Sequence, residues 1–107
     1  MNRIGIDLGG TKIEGVLLDE QNNVLKRERV LTERDNGYDA IVEKIVSVAE
    51  TLIKTADVNG PIGICTPGAI DHSTGMLKNS NTVCLIDKPL KEDLEKTLGL
   101  PMLMEND

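Results

Sequence analysis

The chain of 107 residues has no phenylalanine and no tryptophan, and Tyr38 is its one aromatic residue. Its core must therefore be aliphatic, and isoleucine, leucine and valine dominate the apolar 39%. Without aromatic platforms on which bases can stack, single-stranded nucleic acid is a poor partner. Basic residues are also scarce: 12 Lys and Arg stand against 18 Asp and Glu, giving a net charge of −6 and a pI near 4.7. No dense basic cluster offsets that deficit, so nothing is concentrated enough to neutralise a phosphate backbone, and no nucleic-acid partner is expected. The two cysteines, Cys65 and Cys84, form neither a CxxC pair nor a disulfide-rich pattern, which suits a reducing compartment. Each sits in an apolar run and is expected to be a small buried hydrophobe. No apolar stretch approaches the ~20 residues of a membrane helix. The opening MNRIGIDLGG turns acidic and glycine-rich before a signal-peptide core could form. A cytoplasmic protein with no membrane partner is the expectation.

What is present fits one domain, because the chain is too short for two independently folded halves. RIGID alternates β-branched residues and breaks at LGG; KIEGVLLD and NVLKRERVLT follow as further strands around the polar turn EQNN. Three consecutive antiparallel strands are the economical interpretation. From Asn36 to Thr55 the period changes, with Ile41, Ile45, Val48, Leu52 and Ile53 along one helical face, and Asn36 or Asp39 as its cap. PIGIC reads as a buried strand. TPGAIDHSTGMLKNSNT is rich in turn residues, with AID and MLK as a short hairpin. KPLKEDLEKTLG predicts a second helix with Leu90, Leu94 and Leu98 on one face and Gly99 as its stop, and LPMLME predicts a last strand. The fold class is α/β, in the order βββαβ, hairpin, αβ.

Chemistry is concentrated first in IGIDLGGTK, residues 4–12. It nearly matches a Walker A loop, but Thr and Lys are transposed and a strand rather than a helix follows. What remains is a strand, a Gly-Gly turn and a strand. Gly9 and Gly10 permit positive φ and close approach of backbone N–H groups to an anion, Thr11 adds a hydroxyl and Lys12 a counter-charge. Asp7, at the end of the first strand, could hold Mg²⁺ or its water shell beside phosphates. A tight hairpin whose Asp caps its own turn would look the same.

A second carboxylate, Asp107, follows the last strand and should emerge at its C-terminal end, the edge where open α/β sheets bind ligands. If the first and last strands are parallel neighbours, Asp7 and Asp107 face one cleft, one holding metal and the other taking a proton from an attacking hydroxyl. Alone, a terminal Asp in an ND pair is ordinarily a turn residue. The polar stretches TPG (66–68) and NSNT (79–82) suit sugar hydroxyls, which both donate and accept, and suit ordinary loops equally. His72 reads as a solvated surface histidine, and the KRER and KEDLEK charges as solvated faces.

Together IGIDLGGTK, GICTPGAID, GMLKNSNT and the closing PMLMEND resemble the N-terminal part of a ROK-family sugar kinase, over essentially the whole chain. That family belongs to the actin, hexokinase and heat-shock chaperone superfamily, with a ribonuclease-H-like fold. The resemblance implies an actin-like ATPase lobe, residues 1–107, with the second lobe outside this sequence. It implies Asp7, Gly9, Gly10, Thr11 and Lys12 for ATP and Mg²⁺, with Asp7 toward the metal. It implies Asn106 for a sugar hydroxyl and Asp107 as general base, while Gly68, Ala69 and Asn81 fall where the family contacts sugar. Implied too are phosphorylation of a hexose (glucose, fructose, mannose or an N-acetylhexosamine), a homodimer at full length and zinc only in the missing part. The lobe alone is not expected to turn over. The alternative is a ROK-type sugar-responsive repressor, whose DNA-binding segment would have to precede a strand that already begins near residue 3. A nucleotide-dependent assembly or chaperone ATPase fits the sugar-loop resemblance less well.

Overall fold

A computed structural model describes residues 2–55, 61–66, 69–71, 76–78 and 88–106, with the backbone alone at 66, 69–71, 76–78 and 105–106. Strands β1 (Arg3–Leu8), β2 (Lys12–Leu18) and β3 (Val24–Leu31) form an antiparallel meander. A 3₁₀ turn at Arg34–Asn36 leads into helix α1 (Tyr38–Thr55). Strand β4 (Ile62–Thr66), the short β5 (Ala69–Asp71) and β6 (Met76–Lys78), helix α2 (Leu90–Leu98) and β7 (Met102–Asn106) complete the chain. The main sheet has the order β3-β2-β1-β4-β7, and β5 and β6 pair separately as an antiparallel hairpin. Every element expected from the sequence is present in the expected order.

Pleat alternation explains the layering. Ile4, Ile6 and Leu8 of β1, Ile13 and Leu17 of β2, and Ile62 and Ile64 of β4 point to one face. There they meet Ile41, Ile45, Val48 and Leu52 of α1 and Leu90 and Leu94 of α2 in one aliphatic core. Gly15 of β2 lets α1 lie flush on the sheet: a Cβ there would come within 2.6 Å of Val48 Cγ1 and 2.8 Å of Leu52 Cδ1. The sole aromatic ties the helices together, Tyr38 donating its hydroxyl to Asp93 Oδ2 at 2.5 Å, with Lys88 Nζ 5.5 Å from the ring centre. Burial, then Asp93, pushes the Tyr38 hydroxyl well above the ordinary phenol range. No helix among the described residues is long and apolar enough to cross a membrane.

Several expectations are corrected. β1 and β7 are not neighbours: β2 already occupies one side of β1, so β4 takes the other and β7 adds beyond β4. The cap of α1 is neither Asn36, which lies in the 3₁₀ turn, nor Asp39, which lies in the first helical turn. Gly37 stands there, its carbonyl accepting from Ile41 N–H at 3.2 Å. β4 is buried on one face only, and Cys65, on the other, is exposed. Both helices cover the same side of the sheet, so alternate residues of a central strand still reach the surface. KEDLEK is more than a solvated face: besides Asp93, Glu95 accepts the Met102 N–H at 3.0 Å, anchoring the start of β7. That N–H, then Lys91, holds the Glu95 carboxyl below the usual range. Gly99 does end α2, at φ 69 with its N–H on Glu95 O at 2.9 Å. Cys84 and His72 lie outside the described residues.

Candidate functional site

Leu8 and Ile13 are the last paired residues of the β1–β2 hairpin, leaving Gly9 to Lys12 to make the reversal. Gly9 N–H closes it on Lys12 O at 3.0 Å. Neither Gly9 nor Gly10 is left-handed, contrary to the conformational argument from sequence; the positive-φ glycines among the described residues are Gly37 and Gly99. The requirement at position 9 is steric instead, since a Cβ there would sit 2.8 Å from Lys12 O. A third strand end also holds the turn. Thr32, just past β3, donates its hydroxyl to Gly9 O at 2.8 Å and its N–H to Thr11 O at 2.8 Å. Thr11 and Lys12 themselves are exposed.

Asp7 is exposed on the face opposite the helices, one residue before the end of β1, and pairs in register with Glu14 on one side and Cys65 on the other. Sequence reasoning passed over Glu14. Its carboxylate takes Arg27 Nη1 at 2.5 Å and Arg29 Nη2 at 2.5 Å, so two charges of the KRER run converge on one acid. Cross-strand register could have signalled it, because Glu14 lies opposite Arg29. Hydrogen bonds from Arg29, then Arg27, hold the Glu14 carboxyl below the usual range. Glu14 is thus neutralised, whereas Asp7 enters none of the ion pairs among the described residues. Asp7, Glu14, Gly5, Val16, Gly63 and Leu103 border an open groove of about 450 Å³ that Cys65 also lines.

One free, exposed carboxylate beside a backbone turn fits the way Mg²⁺ is commonly held, through one or two carboxylates, retained water and substrate phosphates. It does not fit an all-protein metal cage, and among the described residues no cluster of three or more His, Cys, Asp or Glu could form one.

At the other end of the site, β4 pairs in parallel with both β1 and β7. Asp7, Cys65 and Glu105 therefore share one row of the sheet, and Asn106 lies level with Thr66 in the next. β1 and β7 end at the same edge, two strand spacings or roughly 10 Å apart. Ala69 opens β5, which lies against β7. Asp107, Gly68 and Asn81 lie outside the described residues.

A model of the ROK family matches residues 3–107. An N-acetyl-D-glucosamine kinase of Vibrio cholerae is 37% identical over 103 residues, 96% of this chain and 34% of that protein. A ROK family glucokinase from Streptomyces griseus, solved in complex with glucose and AMPPNP, superposes with a TM-score of 0.86 at 29% identity, covering 99% of this chain and 33% of that one. A ROK family transcriptional regulator, a homologue of the E. coli MLC protein, shares the fold with a TM-score of 0.79 at 19% identity, over 99% of this chain and 28% of its own. The chain thus spans about one third of the length of the relatives it matches.

Proposed function

The chain belongs to the ROK family of sugar kinases and regulators, with the actin-like ATPase fold, and from that premise we propose that it is the N-terminal lobe of a kinase transferring the ATP γ-phosphoryl group to a hexose hydroxyl. The observation that carries this is the common edge of β1 and β7, which brings the Gly9–Lys12 turn and the end of β7 to one side of the sheet. N–H groups of the turn and Lys12 would bind phosphate oxygens. Asp7 would hold Mg²⁺, which when bound neutralises charge on the transferring phosphoryl group. Asp107 would take the proton of the attacking hydroxyl, with Asn106, Ala69, Gly68 and Asn81 orienting the sugar. About 10 Å between the two strand ends leaves room for a triphosphate tail and a hydroxyl to meet between them.

N-acetylglucosamine is the first sugar to assay, given the Vibrio cholerae relative, and glucose the second. In the full-length protein carrying this chain, Asp107→Ala should lower kcat by at least about 100-fold, the lower range for a lost general base. Full activity in that variant removes the base assignment. The regulator reading draws only on shared fold; sequence-specific DNA binding in a gel shift, without sugar phosphorylation, would replace the kinase with it. Light scattering of the same protein tests the expected homodimer.

A further inference from the structure

Thr32 is the fully buried polar residue among those described, at 0% exposure, while its neighbour Leu31 is 62% exposed. A buried hydroxyl needs a partner, and this one finds it 23 residues away at Gly9 O, with its own N–H on Thr11 O. The two carbonyls flank Gly10. In a trans peptide the C=O and the following N–H point to opposite sides of the chain, and no peptide among the described residues is cis. Drawing Gly9 O toward Thr32 therefore turns the Gly10 N–H away from it, and drawing Thr11 O inward turns the Lys12 N–H away likewise. Thr32 is itself gripped from both sides. Lys44 of α1 donates to Leu31 O at 2.7 Å and pairs with the carboxylate of Glu33, whose φ of 50 is left-handed.

We propose that Thr32 is the positioning residue of the phosphate turn: by holding the Gly9 and Thr11 carbonyls it fixes the orientation of the N–H groups that meet ATP. This rests on the phosphate reading of the turn given above. Thr32 touches no reacting atom and acts only through Gly9 and Thr11, so removing its hydroxyl should weaken ATP and leave the sugar alone.

The test uses the full-length protein carrying this chain, with steady-state kinetics in ATP and in sugar alongside thermal denaturation. Thr32→Val keeps the shape and the N–H but loses the donor; it should raise KM for ATP on the order of tenfold, as expected for one buried hydrogen bond. KM for sugar should stay within about twofold. Thr32→Ser, which keeps the hydroxyl, should recover most of the ATP effect. A Thr32→Val protein that melts earlier but keeps its KM for ATP overturns the proposal, as does a Thr32→Ser protein no better than Thr32→Val. Should Thr32→Val fail to fold, Lys44→Met carries the test: a rise in KM for ATP of roughly threefold supports the proposal and no change overturns it. Gly9→Val, whose Cβ would sit 2.8 Å from Lys12 O and so disturbs the turn itself, separates this from the parent reading. If it raises KM for ATP while Thr32→Val does not, the Thr32 proposal alone falls; if neither variant does, the turn is not the phosphate site.

Discussion

The two faces of the central sheet are written by alternate residues of the same strands, yet they do different things. On the helix side Ile4, Ile6, Leu8, Ile13, Leu17, Ile62 and Ile64 are all buried against α1 and α2. On the other side the same strands present Gly5, Asp7, Glu14, Val16, Gly63 and Cys65, and β7 adds Leu103 at 58% exposure. One face makes the domain stable. The other, with its acids, glycines and open groove, holds Asp7 beside the turn where phosphate chemistry is proposed. A sheet whose described helices pack on one side can therefore give fold stability and ligand chemistry to separate sets of residues that alternate along each strand.

Substitutions on the two faces should accordingly separate stability from activity. The largest loss is expected from Leu52→Ala, which empties a fully buried site of α1 and should cost about 2–5 kcal/mol in chemical denaturation. A loss below 1 kcal/mol would mean that the helix is not seated as described. Gly15→Val attacks the same contact by overpacking, where Val48 and Leu52 leave no room, and should cost about 1–3 kcal/mol.

Tyr38→Phe deletes the link between α1 and α2 and should cost about 1 kcal/mol near neutral pH. Its pH dependence is also specific. The folded hydroxyl titrates above its ordinary value of 10.0, so its stabilisation is complete below pH 10 and is lost as pH rises beyond it. The difference in melting temperature between wild type and Tyr38→Phe should shrink in that window; a constant difference would contradict the Asp93 bond. Glu14 works in the opposite direction. Its folded carboxyl lies below the ordinary 4.5, so its contribution is present above that pH and fades as pH falls through the lowered value. Glu14→Gln should flatten that part of the acid melting curve, and an unchanged curve would remove the role of Arg27 and Arg29. The smallest effect is expected from Leu103→Ser on the open face of this 107-residue chain, within about 0.5 kcal/mol. A core-sized loss there would erase the distinction between the faces.

Much of this was legible in sequence where the signal is local. The three-strand meander, the α1 period of Ile41, Ile45, Val48 and Leu52, and the Gly99 stop of α2 depend on near neighbours along the chain, and the structure has them. So does the IGIDLGGTK turn, although the reason for Gly9 is the closeness of Lys12 O rather than a left-handed backbone. What escaped depends on residues far apart. Thr32 looks like an ordinary strand-end threonine until the fold brings it to Gly9, and nothing local to Cys65 tells which side of β4 goes uncovered. The insertion of β4 between β1 and β7 is likewise a matter of which sheet edge was free, and it widens the proposed cleft by one strand.

The proposed site stands or falls on where ATP puts its phosphates relative to the ends of β1 and β7. A crystal structure of the full-length protein with N-acetylglucosamine and AMPPNP tests this most directly. The account predicts phosphate oxygens on the N–H groups of the Gly9–Lys12 turn and the sugar's acceptor hydroxyl within hydrogen-bond distance of Asp107. Phosphates seated away from that turn, or a sugar hydroxyl out of reach of Asp107, would contradict it.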